Sequence, residues 1–300
     1  MRLRATPEDA GARLDAFLAG PLGSRARAQR LIEAGAVRVD GAPRAKRHRL
    51  EGGEEVEVEV EVEEPRETAA PAAAAEPVPY TVAYADDALV VVDKPAGLVV
   101  HPARGHATGT LAQALAGVAA GGSEAGRAGI VHRLDRGTSG LLVVARTEAA
   151  HRALQGALRR RELVREYRAL VEGRPPARTG TIDAPLGRDR RVRTRRSTDT
   201  DEPRPAVTHF ALERALPRTT LLRVRLQTGR THQIRAHLEA IGHPVVGDPE
   251  YGTAGRLGLE RQFLHAARLA FDHPVTGERL DLVSPLPSDL AAALDRAAAE

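Results

Sequence analysis

Residues 65–79, Pro-Arg-Glu-Thr-Ala-Ala-Pro-Ala-Ala-Ala-Ala-Glu-Pro-Val-Pro, constrain the fold more than any other stretch. Four prolines and little apolar bulk cannot build a core, so the segment reads as a flexible to semi-extended tether. It divides the 300 residues into a small domain, 1–64, and a large one, 80–300, with enough chain for a sizeable core. Charge segregates on the same plan. Residues 1–50 carry 11 Lys and Arg against 5 Asp and Glu, a net of +6, whereas 51–64 hold eight glutamates and no base, a net of −8. Residues 54–64 alternate glutamate with valine, the period of a strand with one buried and one wet face.

In the small domain, residues 13–18 and 28–34 read as two short helices separated by Gly20-Pro-Leu-Gly. Ser24 suits the N-cap of the second, which carries Arg25, Arg27 and Arg30. Gly35 ends it, and Val37-Arg-Val-Asp-Gly41 is a strand running into a turn. By residue pattern alone this is a basic helical hairpin with or without a ligand. It resembles the α-L RNA-binding motif first known from a small-subunit ribosomal protein, which implies that Arg25, Arg27 and Arg30 lie against RNA. Asp40 stands where that motif more usually has asparagine.

In the large domain a polar cluster, His132, Arg133, Asp135, Arg136, Thr138 and Ser139, lies between the apolar runs 129–131 and 141–145. Short apolar runs bounded by glycine read as buried strands, which puts the cluster at their ends, where scaffolds present chemistry. A second polar motif, Gly229-Arg-Thr-His-Gln-Ile-Arg-Ala-His-Leu238, follows a strand expected at 220–226. Thr231 suits the N-cap of a short helix whose buried face is Ile234, Leu238 and Ile241. Arg230, Thr231 and His232 then crowd a helix N-terminus, where free amides favour an anion. Arg235 falls in the first turn off the apolar stripe, the place of a solvated arginine unless something holds it. Residues 88–93 and 97–101 are expected to form a hairpin around Lys94-Pro-Ala-Gly, and Thr147 to cap a helix with Ala150, Leu154, Ala157 and Leu158 on one face. Residues 188–196 hold six arginines and one aspartate, either a solvated loop or a clamp on RNA phosphates. Strands and short helices without a regular β-α-β rhythm imply an α+β fold with a mixed, largely antiparallel sheet.

The two polar motifs closely resemble the signatures of the RluA-type pseudouridine synthases. Asp93-Lys-Pro-Ala-Gly-Leu-Val-Val-His-Pro102, Arg165-Glu-Tyr-Arg-Ala-Leu170, Ala206-Val-Thr-His209, Gly247-Asp-Pro-Glu-Tyr-Gly252 and Leu264-His-Ala266 match in the same order. The resemblance runs from about Tyr80 to the C-terminus. It implies the pseudouridine synthase fold for residues 80–300 and an isomerisation of uridine. The N1–C1′ bond breaks, the uracil turns, and C5 joins C1′ without net redox change. Such a reaction needs a carboxylate, as nucleophile or as the base that takes the 2′-proton, and no metal, nucleotide or redox cofactor. The match places that role on Asp135 and implies Arg235 as the guanidinium that keeps it ionised. It further implies Tyr167 stacked on the target uracil and Arg133 filling the gap left by the flipped nucleotide. His132, Arg230, Thr231 and His232 are the remaining candidate RNA contacts.

The tethered basic domain makes the chain most similar to family members acting on large-subunit (23S) ribosomal RNA or its assembly intermediates. Composition agrees: the net charge is +4, the sequence pI is about 9.9, and only Lys46 and Lys94 among the basic residues are lysines. The absence of cysteine excludes disulfides and thiolate metal sites. His232 and His237 are five apart, not the four that aligns zinc ligands on one helix face, which weakens a metallohydrolase reading. A non-catalytic RNA-binding factor would not need Asp135, Tyr167 and Arg235 together. With no apolar leader and no run near the roughly 18 residues of a membrane span, a cytoplasmic, membrane-free monomer is expected.

Overall fold

The computed structural model describes residues 1–22, 25–59, 78–102, 108–122, 129–192 and 194–300, the side chains of residues 25–27 and 30 excepted. These residues form two compact units, one up to residue 59 and one from residue 78 onward. The tether up to residue 77, the Ser24 cap and the far end of the Glu/Val alternation therefore lie outside the described residues, as do the side chains of Arg25, Arg27 and Arg30.

The first unit contains β1 (Arg2–Arg4), α1 (Leu14–Phe17), α2 (Arg25–Glu33), β2 (Val37–Val39), β3 (Ala42–Pro43) and β4 (Glu55–Val58). Its sheet is antiparallel, in the order β1-β4-β2-β3. Asp40 and Gly41 join β2 to β3 with φ of 49° and 77°, the paired positive values of a tight hairpin turn. The valine period works as expected: Val56 and Val58 are buried with Val37, Val39, Leu14 and Ala28, while Glu55 is exposed.

The second unit runs β5 (Thr81–Ala85), β6 (Leu89–Lys94), α3 (Leu111–Ala114), β7 (Ser139–Ala145), α4 (Glu148–Arg160), β8 (Val164–Glu172) and β9 (Thr179–Asp183). It continues with β10 (Gly187–Arg188), β11 (Arg196–Ser197), β12 (Val207–Ala215), β13 (Thr219–Leu226), α5 (Gln233–Ala240), β14 (Leu264–Asp272), β15 (Arg279–Val283) and α6 (Ser288–Ala298). Nine strands make one sheet, ordered β5-β6-β7-β14-β8-β13-β12-β9, with β15 also paired to β14. Among the described residues only β7 and β14 run parallel, so the fold is α+β with a largely antiparallel sheet. Every residue of β7 is buried, because Leu142 and Val144 face one core and Leu141 and Val143 the other. A strand covered on both faces must be apolar throughout, which is why its run shows no alternation. Helix α4 covers the second core with Ala150 and Leu154, and the Thr147 hydroxyl accepts the Ala150 amide at 3.1 Å. No helix among the described residues is long and apolar enough to cross a membrane.

Two expected strands take other forms. Residues 97–101 do not pair with β6, which lies between β5 and β7 instead. The Lys94 ammonium donates to the carbonyls of Pro95 and Leu98, both at 2.9 Å, and so curls the segment into a loop. Leu98 and Val100 bury themselves from that loop. Residues 129–131 make only an isolated bridge, Ile130 to Val144, so the polar cluster leads into one strand instead of joining two.

Candidate active site

Asp135 sits in the loop that leads into β7, and several elements fix that loop. The Thr138 amide donates to the Asp135 carbonyl at 3.0 Å, closing a turn. Arg261 donates to the Gly137 carbonyl at 3.0 Å and to Ser139 Oγ at 3.3 Å, and is itself held by both Asp289 oxygens at 2.6 and 2.9 Å. From the other side, Lys94 reaches the Arg136 carbonyl at 3.3 Å. Lys94 is fully buried; burial pushes its pKa down to about 7, with Asp135 acting in the opposite direction. Gly140 takes φ 110°, and a Cβ there would lie 2.3 Å from the Ala266 carbonyl, so β7 and β14 can approach only through a glycine. The loop is a rigid mount for one carboxylate, whose side chain remains 15% exposed.

The second motif turns from β13 into α5. The helix starts one residue later than Thr231 would have it: His232 is the N-cap, with φ 56° and no side-chain cap bond. Gln233 explains the shift. Its carbonyl oxygen accepts the Arg230 amide at 2.9 Å and the Thr228 hydroxyl at 2.8 Å, taking the capping work from Thr231. Ile234 and Leu238 are buried as expected, whereas Ile241, just past the helix, is 39% exposed.

Arg235 is no solvated arginine; it is 4% exposed. Its Nε and Nη2 clamp Asp248 at 2.6 and 2.7 Å, Nη2 also donates to Glu250 at 2.8 Å, and Nη1 points to Asp135 Oδ2 at 3.4 Å. Burial works against the cation, but the carboxylates, Asp248 foremost, hold its pKa above the ordinary arginine value. The contact with Asp135 is thus the longest of the four, and Asp248 and Glu250 anchor the guanidinium that faces it. Tyr251 closes this cluster: the Arg235 guanidinium lies 4.9 Å from its ring centroid, and its hydroxyl is 3.1 Å from His232 Nδ1.

From β8, Tyr167 reaches the same place. It is 4% exposed, and burial raises its hydroxyl pKa. One pocket is lined by Arg133, Asp135, Tyr167, Arg230, His232 and Arg235, residues from three separate stretches of the sequence. Leu134, Ile234 and Leu264 supply its apolar wall.

The comparisons with known proteins bear on the family. The pattern of the RNA pseudouridylate synthase family matches residues 88–240, and that of the S4 domain matches residues 12–56. An RNA pseudouridine synthase of Chloroflexus aurantiacus, itself uncharacterized, is 48% identical over 292 residues, covering 95% of this chain and 89% of its own. The chain belongs to the RNA pseudouridine synthase family. Another relative, ribosomal large subunit pseudouridine synthase D of Nitrosomonas europaea, is 44% identical over 295 residues, covering 95% of this chain and 84% of its own. Among solved structures, human RNA pseudouridylate synthase domain containing 1 superposes with a TM-score of 0.56 at 28% identity, covering 72% of this chain and 88% of that one.

This pseudouridine synthase therefore brings Asp135, Arg133, Tyr167, Arg230, His232 and Arg235 into one pocket, while Thr231 lines a neighbouring one. His132 does not join them. It is buried, its Nε2 accepts the Val143 amide at 3.3 Å, and burial lowers its pKa to about 3. That places it as a neutral packing residue and not as an RNA contact. His237 is likewise structural, bonded to the Thr208 hydroxyl and the Ala184 carbonyl, each at 2.9 Å. Asp248, Glu250, Gln233 and Lys94 lie in the sequence motifs without a role; the one signal is that a helix-turn arginine and a near-unique lysine must find partners if the fold buries them. Chemically, the pocket offers a fixed carboxylate, a cation that cannot leave it, and an aromatic face.

Proposed function

We propose that the enzyme isomerises specific uridines of large-subunit (23S) ribosomal RNA, with Asp135 as the catalytic carboxylate. The observation that carries this reading is the meeting of Asp135, Arg235 and Tyr167 in one pocket from three distant segments. Arg235 orients Asp135, Tyr167 presents its ring to the extruded uracil, and Arg133, exposed at the pocket mouth, fills the vacated stack. Asp135 either attacks C1′ or takes the 2′-proton, and the fixed geometry serves both routes. Residues 1–64 are the RNA-docking domain, 65–79 the tether, and 80–300 the catalytic domain. The ribosomal target is supported by the name of the Nitrosomonas europaea relative together with the S4 match.

Tritium release from 5-tritiated uridine in a large-subunit rRNA transcript tests both parts. The wild-type enzyme should release tritium from this transcript and not from bulk tRNA. Asp135→Asn should abolish release while leaving RNA affinity nearly unchanged, because the amide keeps the shape and loses the charge. Turnover by Asp135→Asn close to wild type would remove Asp135 from the chemistry; release from tRNA alone would overturn the ribosomal target.

A further inference from the structure

A second cavity lies beside the Asp135 pocket and shares Arg230 with it. Three stretches wall it: the β10–β11 hairpin, residues 202–204, and the Gly229-Arg-Thr turn before α5. Each brings guanidinium: Arg188 and Arg196 from the hairpin, then Arg204, then Arg230. One carboxylate, Glu202, lines the cavity with them.

Outside the cavity, Arg190 pairs with Asp199 and Asp201, both at 2.9 Å, and Arg195 with Glu239 at 3.4 Å, while Arg191 is exposed to solvent. Among the described residues, the side chains of Arg188, Arg196 and Arg204 make no hydrogen bond or ion pair within the protein. Arg230 uses only Nε, on the Pro205 carbonyl at 3.2 Å, which leaves both terminal nitrogens available. Four like charges around one cavity repel each other until an anion joins them.

A buried group behind the wall points the same way. Arg165 is 7% exposed, its Nε has no partner, and its one hydrogen bond is a long 3.4 Å contact to the Thr228 carbonyl. It lies against Gly229, where a Cβ would come within 2.8 Å of its Nη1. A buried guanidinium without a carboxylate is costly, and an anion across the Gly229 turn offsets that cost.

We infer that this cavity binds one backbone phosphate of the RNA substrate, next to the target nucleotide, and so sets the strand's register on Asp135. Guanidinium forks match phosphate oxygens in number and geometry. The inference rests on the reading of the Asp135 pocket as the uridine site, since Arg230 belongs to both.

The test compares full-length Arg188→Ala/Arg204→Ala with wild type on a large-subunit rRNA transcript. Both side chains are exposed, so the fold should be retained. Loss of one phosphate contact should lower the slope of log Kd against log salt by about 0.7 to 0.9. Affinity should weaken roughly tenfold. Glu202→Gln should change affinity in the opposite sense, tightening it by removing the one repulsive charge. Arg152→Ala/Arg279→Ala, which removes equal charge outside the cavity, should leave the slope at the wild-type value. A slope for Arg188→Ala/Arg204→Ala equal to that of this control, or no tightening by Glu202→Gln, would overturn the phosphate site. Affinity is measured without turnover, so a transcript that binds but is not isomerised counts against the uridine reading and still judges the cavity.

Discussion

Arg235 and the arginines of the β10–β11 cavity are the same side chain in opposite electrostatic conditions. Arg235 is buried among three carboxylates, Asp248, Glu250 and Asp135, at 2.6 to 3.4 Å. Arg188, Arg196 and Arg204 line an open cavity and, among the described residues, pair with no carboxylate, although Glu202 shares the wall with them. A guanidinium already saturated by acids cannot also take a substrate anion; its work is to hold a carboxylate in place. One left without acids is ready for phosphate. The enzyme thus separates positioning from docking by where it puts its aspartates and glutamates, not by where it puts its arginines.

The sharpest attack on this contrast is Arg235→Met. It strands the fully buried Asp248, and breaking a buried pair from one side typically costs about 3–5 kcal/mol. Urea unfolding should show a loss of that size, and tritium release should fall below detection. Arg235→Met/Asp248→Asn should regain part of the stability, because the fully buried Asp248 charge is gone, yet remain inactive, because Asp135 has lost its cation. Recovery of activity in the double variant would show that Asp248, not Asp135, is what Arg235 serves.

Acid stability gives the next largest effect, and concerns a buried base near the Arg165 charge. Burial, and after it the Arg165 charge, lowers the His132 pKa to about 3. Its ordinary value, near 6.5, returns on unfolding, so between these limits the unfolded chain binds the extra proton. Stability is therefore present above pH 6.5 and is lost as pH falls toward 3. At pH 4.5 the cost attributable to His132 should be about 2–3 kcal/mol, and His132→Gln should remove that part of the pH dependence. Parallel unfolding curves for wild type and His132→Gln at pH 7 and 4.5 decide it; an equal acid loss in both would mean that His132 is protonated in the folded enzyme.

Much of the fold was legible because apolar period reports burial directly. The valines of β4, the strand expected at 220–226 and the Thr147 cap of α4 all took the forms their patterns implied. Residues 97–101 misled because Leu98 and Val100 are spaced like strand residues, while the ammonium that curls them lies outside their own period, at Lys94. Helix α5 began at His232 instead of Thr231 because a side chain inside the helix, Gln233, satisfied the turn. At the site, Asp135, Tyr167 and Arg235 were identified by motif resemblance, but Asp248 and Glu250 were not assigned. They lie 13 and 15 residues beyond Arg235, and no helical or strand period connects them to it. Partners of a buried charge are dictated by tertiary packing, which local patterns do not encode.

The smallest effect should come from an ion pair that copies the Arg235–Asp248 geometry without its burial. On β14 and β15, Arg268 grips Asp281 through Nε and Nη2 at 2.7 and 2.6 Å, a two-point clamp like that of Arg235 on Asp248. Both partners remain solvated, with side-chain exposures of 33% and 43% against 5% and 0% for the inner pair. In solvent the Coulomb attraction is screened, and holding two long side chains in one geometry costs entropy. Arg268→Ala should therefore lower stability by less than about 1 kcal/mol, with the loss shrinking further in high salt. Activity and RNA salt slope should stay at wild-type values, since Arg268 touches neither pocket. Urea midpoints at low and high salt measure this. If Arg268→Ala costs as much as Arg235→Met, two-point geometry and not burial sets the strength of these pairs, and the contrast between positioning and docking arginines loses its physical basis.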